Sequence, residues 1–323
     1  MAAAKRAFCI GFTGQGSQWV GMGKTLLSQF PKAKELMEEA NAVMGYSLSD
    51  IMFSGPESAL RNTVNCQVGI LTYSAMLLEA LRSRNSIEEA PWRNPVAYCG
   101  HSVGEFVALY ASNVVSFHDC AVLLKERAEC IIRGCDGIDG GMSAVLFCPL
   151  PTLQRVVDSI QKEGGLCEIT NINSPIQTVV SGDKPSLKEL SSRLRQEGRR
   201  IAVKPLNVAY PFHASILLNE SKAFDAFVQE GVRSGRISIA DPAVPVISNV
   251  DGAIMRTKEE VIARMGKQMA LPVQWQRCMQ QAQTMGCTDF LEIGPKPVLK
   301  SLVRSIAKGM TASAICELSG GEE

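Results

Sequence analysis

Residues 100–104, Gly-His-Ser-Val-Gly, fit the G-x-S-x-G pattern that places a serine nucleophile on a sharp turn. The apolar residues 96–99 before the pattern predict a buried strand, and residues 105–111 after it predict a helix. In that setting the Ser102 hydroxyl is exposed at a helix N-terminus, and both glycines are needed because side chains would clash in the turn. The alternative is an ordinary glycine-rich turn between a strand and a helix, with an incidental serine.

A serine hydroxyl is a weak nucleophile and needs a base within hydrogen-bond distance. The chain has three histidines. His101 adjoins Ser102, and on so tight a turn its side chain should point elsewhere, which favours a packing or orienting role. His118 begins a helix beside Asp119 and is typical of a capping or surface residue. His213 precedes a helix in an apolar stretch, where a histidine is more often a satisfied core residue, but elimination leaves it as the best candidate for the base.

A helix predicted over residues 118–133 carries an arginine among apolar residues. Cys120, Leu124, Arg127 and Ile131 share one face at helical spacing, while charged residues occupy the opposite face. A charge on the apolar side is costly unless it is paired, so an anion must meet Arg127. Either an internal carboxylate or a substrate carboxylate held by two hydrogen bonds would satisfy it.

The glycine-rich residues 13–18, Thr-Gly-Gln-Gly-Ser-Gln, follow a predicted strand and invite comparison with nucleotide-binding loops. A P-loop ending at residues 23–25 would need glycine where Gln18 stands, and a dinucleotide fingerprint would need glycine where Trp19 stands. The segment therefore favours a tight turn that directs backbone amides and the Gln15 side chain into a cleft at the strand ends.

The elements that would position these residues form an α/β pattern. Strands and helices alternate on both sides of residues 142–206, which themselves predict the β-α-β-β-α-β order of the ferredoxin-like motif. A linker rich in glycine and aspartate, residues 136–141, precedes them. We expect a larger α/β domain, residues 1–138 and 207–323, that carries a small inserted α+β subdomain, residues 139–206.

Composition excludes several classes of protein. The 323 residues are 46% hydrophobic and 20% charged, which allows a sizeable core and argues against gross disorder. A net charge of +1 gives no bulk field that would attract nucleic acid or an anionic membrane. The longest apolar run, residues 68–81, is interrupted by polar residues and is shorter than the ~20 residues of a membrane span. We therefore expect a soluble globular protein.

The eleven cysteines are scattered, odd in number and without C-x-x-C spacing. This favours free thiols in a reducing compartment over a zinc site or a disulfide framework. The first ten residues lack the apolar segment of a secretory signal. We expect a monomer that is not secreted: mitochondrial if a transit peptide was removed, and otherwise cytoplasmic.

Seven motifs resemble the malonyl-CoA:acyl-carrier-protein transacylases, the acyltransferase family shared with polyketide and animal fatty acid synthases. They run in family order from about residue 8 to residue 306, and their matching spacing makes the resemblance specific. The motifs are residues 14–18 (Gly-Gln-Gly-Ser-Gln), 100–106 (Gly-His-Ser-Val-Gly-Glu-Phe), 125–129 (Lys-Glu-Arg-Ala-Glu), 171–175 (Asn-Ile-Asn-Ser-Pro), 212–213 (Phe-His), 272–275 (Pro-Val-Gln-Trp) and 292–295 (Glu-Ile-Gly-Pro).

The resemblance implies a role for each catalytic group. Ser102 is the expected nucleophile and His213 its base. The family has no triad aspartate, and a backbone carbonyl, here that of Gln268, is expected to orient the imidazole. The expected oxyanion hole consists of the backbone N–H groups of Gln15 and Val103.

The resemblance also implies the substrate contacts and the fold. Arg127 is expected to bind the free carboxylate of the malonyl group. Phe212 is typical of members that exclude α-methyl groups and so prefer malonyl over methylmalonyl. Met142 and His101 are the remaining expected substrate-binding residues. The family fold is an α/β-hydrolase-like core with a ferredoxin-like insert.

The implied reaction is ping-pong transfer of a malonyl group from malonyl-CoA to the phosphopantetheine thiol of acyl carrier protein, in fatty acid or polyketide biosynthesis. Neither a metal nor a redox cofactor is required. The main rival is a serine thioesterase or esterase, although such hydrolases place an acidic residue between serine and histidine in the chain and need no arginine on an apolar helix face. The second rival, a scaffold that only holds carrier protein, would not need Ser102 and His213 together.

Residues 183–204 carry a local excess of charge, +4, in a nearly neutral chain. Acyl carrier proteins of this pathway are acidic, so the segment is a candidate for steering their approach. A solvated helix face is the equal alternative. The basic residues are Lys184, Lys188, Arg193, Arg195, Arg199, Arg200 and Lys204, against Asp183, Glu189 and Glu197.

Overall fold

A computed structural model of the chain describes residues 6–84, 90–198 and 200–318. Within these ranges ten strands form two sheets, one of six strands and one of four. The strands are β1 (Phe8–Phe12), β2 (Ala97–Gly100), β3 (Gly140–Leu146), β4 (Cys167–Ser174), β5 (Gln177–Asp183), β6 (Ala202–Pro205), β7 (Val246–Ile247), β8 (Ile254–Met255), β9 (Asp289–Ile293) and β10 (Thr311–Ile315).

Helices connect and cover these strands, thirteen of them α-helices in the same ranges. They are α1 (Lys24–Gln29), α2 (Pro31–Met44), α3 (Leu48–Ser54), α4 (Glu57–Arg61), α5 (Thr63–Ser83), α6 (Val103–Ala111), α7 (Phe117–Gly134), α8 (Leu150–Lys162), α9 (Lys184–Glu197), α10 (Leu218–Arg233), α11 (Lys258–Met265), α12 (Trp275–Thr284) and α13 (Leu299–Ile306). Two short 3₁₀ turns cover Ser215–Leu217 and Lys267–Met269.

The six-stranded sheet has the order β10-β9-β1-β2-β7-β8, and its neighbours are parallel except for the antiparallel β7–β8 pair. All five residues of β1 are buried, as expected of a parallel strand that is covered on both faces. Phe12 at the end of β1 is in register with Gly100 at the end of β2. The turns that leave these two strands therefore lie side by side at one edge of the sheet, which is where α/β proteins place their ligands.

The helix α5 runs through the core of the large layer. The helix has 21 residues, and its most apolar 18-residue stretch has a mean hydropathy of 1.2, which by length and composition alone is enough to cross a membrane, so the expectation that this region is too short for a span was wrong. However, 89% of its most apolar window is buried inside the protein. Packing on all sides accounts for the apolar composition of this helix.

The four-stranded sheet has the order β4-β5-β3-β6, and all its neighbours are antiparallel. Its elements follow the predicted succession of strand, helix, two strands, helix and strand. Apolar residues of α8 and α9 pack with Val145 and Val180 on one face of the sheet. Alternate residues of a strand point to opposite faces, so Met142, Ala144 and Val179 face away from these helices and line a cavity.

The predicted boundaries differ from the structure in a few places. The helix after the glycine-rich residues 13–18 begins only at Lys24, because Gly21 and Gly23 have φ values of +109° and +93° that cannot continue a helix. The linker predicted over residues 136–141 is shorter, because its last two glycines already belong to β3. The short elements α3, α4, β8 and β10 are not predicted, since so few residues show no clear periodicity.

The eleven cysteines are all free thiols, as their odd number and scattered positions predict. Ten of them are buried. The sulfurs of Cys9 and Cys99, on neighbouring strands, approach to 3.6 Å, well beyond the ~2.05 Å of a disulfide bond. The thiols therefore behave as small apolar side chains of the core.

Candidate active site

Ser102 lies between β2 and α6, with φ 54° and ψ −111°. A positive φ is uncommon for a residue other than glycine and marks a turn that the surroundings hold in place. A Cβ at Gly100 would lie 2.0 Å from the carbonyl oxygen of Gly104, and one at Gly104 would lie 2.1 Å from that of Phe12. Both glycines are therefore sterically required, and the predicted strand–turn–helix setting of Ser102 is confirmed.

His213 is the histidine that contacts the serine. Its Nε2 lies 2.8 Å from Ser102 Oγ, and its Nδ1 lies 2.8 Å from the backbone oxygen of Gln268. A carbonyl oxygen only accepts hydrogen bonds, so the ring carries its proton on Nδ1 and leaves Nε2 to accept from the hydroxyl. Elimination among three histidines thus points to the one that the fold brings to Ser102.

The imidazole of His213 is neutral in this environment. His213 is buried, with only 3% of the residue exposed. Burial, and then the nearby positive charge of Arg127, lower the pKa of His213 to about 3. At neutral pH the ring is therefore free to take a proton from Ser102.

Arg127 projects from α7 toward the same point and is 1% exposed. Its Nη1 donates to Gln67 Oε1 at 2.7 Å, while its Nη2 donates to Gln268 Oε1 at 2.8 Å and lies 3.3 Å from Ser102 Oγ. Its guanidinium also lies over the Phe106 ring, 5.6 Å from the ring centroid. Within the described ranges its hydrogen-bond acceptors are all neutral oxygens. The described residues therefore offer Arg127 no hydrogen-bonded carboxylate, which argues against the alternative of an internal carboxylate partner.

The guanidinium keeps its charge despite this burial. Burial lowers the pKa of Arg127 to about 10, and the negative charge of Glu105 opposes this shift. A full positive charge is thus held at neutral pH beside the Ser102–His213 pair. The arrangement is suited to a ligand that brings its own carboxylate.

Gln268 joins these three groups. Its backbone oxygen accepts from His213 Nδ1, its side-chain oxygen accepts from Arg127, and its Nε2 donates to the carbonyl oxygen of Ser102 at 2.7 Å. Gln67 is bound only through its oxygen, and its buried Nε2 has no partner within the described part of the chain. Sequence reasoning missed Gln67 and the side chain of Gln268, because no motif marks either glutamine.

A cavity of about 460 Å³ opens onto these groups, between the two sheets. The large layer contributes Gly14, Gln15, Gly16, Gln67, His101, Ser102, Arg127, Phe212 and His213, and the four-stranded sheet contributes Met142, Ala144, Asn171, Asn173, Gln177 and Val179. The structure thus brings together every side chain that the sequence places at the site. Val103 is the first residue of α6, where a backbone N–H has no acceptor within its own helix.

The two remaining histidines differ in their surroundings. His101 Nε2 lies 2.8 Å from Asn173 Oδ1, and the ring packs on Trp275 with centroids 5.6 Å apart. This contact ties the turn after β2 to strand β4, in keeping with an orienting role. The His118 side chain is 53% exposed, but Ser116 caps α7, so the surface expectation is confirmed and the capping alternative is wrong.

Side chains that could bind a metal ion are not clustered in the described part of the chain. In residues 6–84, 90–198 and 200–318, no group of three or more His, Cys, Asp or Glu side chains could hold a metal ion. A hydroxyl, a neutral imidazole and a buried cation are the reactive groups of the cavity. Together they can transfer an acyl group that carries a negative charge.

This chain is similar in sequence and in structure to known proteins of one family. A family described as acyl transferase domain matches residues 11–320. The malonyl CoA-acyl carrier protein transacylase of Bacillus subtilis is 32% identical over 306 residues, which cover 95% of this chain and 92% of the relative. An acyl carrier protein S-malonyltransferase from Vibrio cholerae has a similar structure, with a TM-score of 0.86 and 26% identity over 96% of this chain and 97% of its own. A malonyl-transacylase solved with a type II PKS acyl-carrier protein gives a TM-score of 0.88 and 26% identity over 97% of this chain and 96% of its own.

Glu105 is a buried acid next to this site, in the first turn of α6 and 3% exposed. Burial raises its pKa from 4.5 to about 8, although the hydrogen bond from the Asn249 amide and the charge of Arg127 act in the opposite direction. Between these values the folded protein keeps a proton that the unfolded chain has released. The free energy of unfolding therefore falls as the pH rises through this range.

Glu105→Gln should remove this pH dependence, because glutamine still accepts from the Asn249 amide but does not titrate. We expect the unfolding free energy of the variant, relative to wild type, to increase by roughly 1.4 kcal/mol per pH unit between about pH 5 and pH 8. Urea unfolding at four pH values in this range measures it, with Glu35→Gln, at an exposed position of α2, as a control that keeps the wild-type dependence. A difference between Glu105→Gln and wild type that does not change with pH would contradict the prediction.

Proposed function

The chain belongs to the acyl transferase family, and from that premise we propose that it moves a malonyl group from malonyl-CoA to the phosphopantetheine thiol of acyl carrier protein, in fatty acid or polyketide biosynthesis. One observation carries the choice of acyl group. Arg127 is buried beside Ser102 and His213, and no carboxylate of the described residues binds it. A malonyl group supplies that carboxylate, whereas an acetyl group does not.

The first half of the reaction loads the enzyme. His213 Nε2 takes the proton of Ser102 Oγ as this oxygen attacks the malonyl thioester carbon. The tetrahedral intermediate collapses, the carbon–sulfur bond breaks, and the leaving CoA sulfur takes the proton from His213. Malonyl then remains on Ser102 as an ester. The 2.8 Å Oγ–Nε2 distance and the neutral state of His213 support these roles.

The negative charge that develops on the thioester oxygen needs hydrogen-bond donors, and these lie at the end of the six-stranded sheet. We assign this role to the backbone N–H groups of Gln15 and Val103. Gln15 lines the cavity, and Val103 has its amide at the free N-terminus of α6. The partial positive charge at this helix end favours an oxyanion there.

The second half of the reaction unloads the enzyme. His213 deprotonates the incoming pantetheine thiol, the sulfur attacks the ester carbon, and Ser102 recovers its proton as the acyl group leaves. The protein needs no metal or redox cofactor for either half. Phe212, Met142 and His101 on the cavity wall form the remaining substrate contacts, with Phe212 opposing an α-methyl group.

Two structural units carry this chemistry in our proposal. Residues 1–138 and 207–323 form an α/β-hydrolase-like core that supplies the nucleophile, the base and the arginine. Residues 139–206 form a ferredoxin-like insert that closes the cavity with the open face of its sheet. The order β4-β5-β3-β6 and the two helices on one face support the second assignment.

Ser102→Ala should abolish the covalent malonyl adduct while the fold is kept, because no hydroxyl remains to attack the thioester. His213→Ala should slow acylation by ~10²–10⁴-fold, the usual contribution of general base catalysis. Intact mass after brief mixing with malonyl-CoA measures both, with exposed His118→Ala as the matched control. A malonyl adduct that persists in Ser102→Ala would refute the nucleophile, and rapid release of malonate to water instead of transfer to thiol would favour a thioesterase.

Arg127→Ala should cut malonyl transfer steeply and raise transfer of acetyl or longer neutral acyl groups relative to it. Acetyl-CoA leaves the buried cation unpaired, a cost of ~3–5 kcal/mol that corresponds to roughly 10²–10³-fold or more in kcat/KM between the two thioesters. Arg127→Lys should restore only part of malonyl transfer, because a point charge cannot form the paired hydrogen bonds of a guanidinium. The measurement is the malonyl-to-acetyl ratio of kcat/KM. The control is Arg82→Ala, which removes a part-buried arginine outside the cavity that binds Glu79. An unchanged ratio in Arg127→Ala would make Arg127 a structural residue.

We also propose that the insert steers the acidic carrier protein. Two basic side chains of residues 183–204, Lys184 and Arg193, form ion pairs with the insert's own acids, but Lys188 and Lys204 have none within the described part of the chain. Lys188 lines a groove with Leu206 and Val208, which also line the active-site cavity. Arg199, in the same basic run, lies outside the described residues.

Lys188→Glu combined with Lys204→Glu should raise the KM for carrier protein and leave the KM for malonyl-CoA unchanged, because only the carrier protein spans this surface. The effect should shrink as salt is added. Lys222→Glu on α10 reverses an equally exposed lysine away from the insert and should change neither constant. An unchanged KM for carrier protein in the double variant would leave these lysines as part of a solvated helix face.

A further inference from the structure

Asn249 is a buried residue behind the nucleophile turn that does not line the cavity. It follows β7, the neighbour of β2 in the large sheet, so the turns after these two strands meet at the same edge. Its exposed fraction is 1%. Any effect of Asn249 on the reaction must therefore pass through the residues it binds.

All four polar groups of Asn249 are hydrogen-bonded. The side-chain Oδ1 accepts from the backbone N–H of Ser102 at 2.7 Å, and Nδ2 donates to the carbonyl oxygen of Gly100 at 2.6 Å. Its backbone N–H donates to Glu105 Oε2 at 2.6 Å, and its carbonyl accepts from the Gln274 N–H at 2.8 Å. A backbone N–H can only donate and a carbonyl can only accept, so the orientation of the side-chain amide is determined.

These bonds grip the nucleophile turn on both sides. Gly100 is the last residue of β2, and Ser102 has the positive φ that the turn requires. A strained conformation of this kind persists only where neighbouring groups hold it. The side-chain amide of Asn249 binds the turn at the two points that flank His101, while Glu105 and Gln274 hold the backbone of Asn249 itself.

We propose that Asn249 is a positioning residue for catalysis. Its amide holds the turn so that Ser102 Oγ stays at 2.8 Å from His213 Nε2 and the Val103 amide stays directed at the reacting carbonyl. The kinetic test of this proposal, which measures acylation by malonyl-CoA, rests on the proposed function. The chemical test, which measures labelling of Ser102 by a serine-directed reagent, does not. A displacement of about 1 Å between reacting groups can cost roughly 10²-fold in rate, so loosening this turn has a measurable effect.

Asn249→Asp tests the proposal with little change in size. It keeps an acceptor for the Ser102 N–H and replaces the donor to Gly100 by an oxygen, which repels that carbonyl. We expect the acylation rate constant to fall about 10–100-fold. The KM for malonyl-CoA should remain within about twofold of wild type, because Arg127 and the cavity wall are unchanged.

The matched control is Asn41→Asp. Asn41 Oδ1 accepts from the Ser49 N–H at 3.1 Å and its Nδ2 donates to Ser49 Oγ at 3.2 Å, so the same substitution breaks a similar two-way grip at a turn remote from Ser102. This control should acylate at the wild-type rate. Thermal unfolding of both variants separates lost stability from lost positioning. If Asn249→Asp does not fold, Asn249→Ser, which cannot reach both backbone groups, takes its place.

A serine-directed fluorophosphonate measures the same geometry without malonyl-CoA. His213 takes the proton of Ser102 Oγ as this oxygen attacks phosphorus and fluoride leaves, and intact mass follows the labelling rate. We expect labelling to slow in the Asn249 variant in step with acylation and to stay unchanged in Asn41→Asp. A wild-type labelling rate in the folded Asn249 variant, or a change confined to KM, would overturn the positioning role. Normal labelling of the wild type without transfer from malonyl-CoA would instead refute the proposed function.

Discussion

A positive charge held out of water, on Arg127, is the constraint around which this site is organised. The guanidinium is bound by the neutral oxygens of Gln67 and Gln268, which satisfy its hydrogen bonds without cancelling its charge. The uncancelled charge lowers the pKa of His213 and so helps keep its ring neutral, the state that our proposal requires of a base. In our proposal, it also attracts an anionic acyl group into a cavity that is otherwise largely apolar. In our proposal, one unpaired charge thus bears on the state of the base and on the choice of substrate.

The large sheet places that charge and the nucleophile together. Strands β1, β2 and β7 are neighbours with parallel directions, so the turns after all three lie at one edge. The turn after β1 brings Gln15 to the cavity, the turn after β2 carries Ser102, and the turn after β7 brings Asn249 behind it. The close approach of β1, β2 and α6 leaves no room for a Cβ at Gly100 or Gly104, and this tight packing makes the turn sharp.

The four-stranded sheet forms the second wall of the cavity, because alternate residues of its strands point to opposite faces. One face of β3 and β5 packs against α8 and α9, and the other face presents Met142, Ala144 and Val179 to the cavity. The hydrogen bond from His101 to Asn173 ties this wall to the nucleophile turn. The cavity is therefore enclosed between two layers, with Ser102, His213 and Arg127 on the large one.

The sequence by itself determined the features that depend on a few consecutive or periodically spaced residues. The strand–turn–helix around Ser102, the arginine on the apolar face of α7 and the order of elements from β3 to β6 all follow from such patterns. Only the tertiary structure decided which distant groups meet. Gln268 binds Arg127 from 141 positions away, and Asn249 binds Ser102 from 147. No pattern marks these amides, because their neighbours in the chain do not set their partners. Their partners are set by the packing of whole strands and helices against one another.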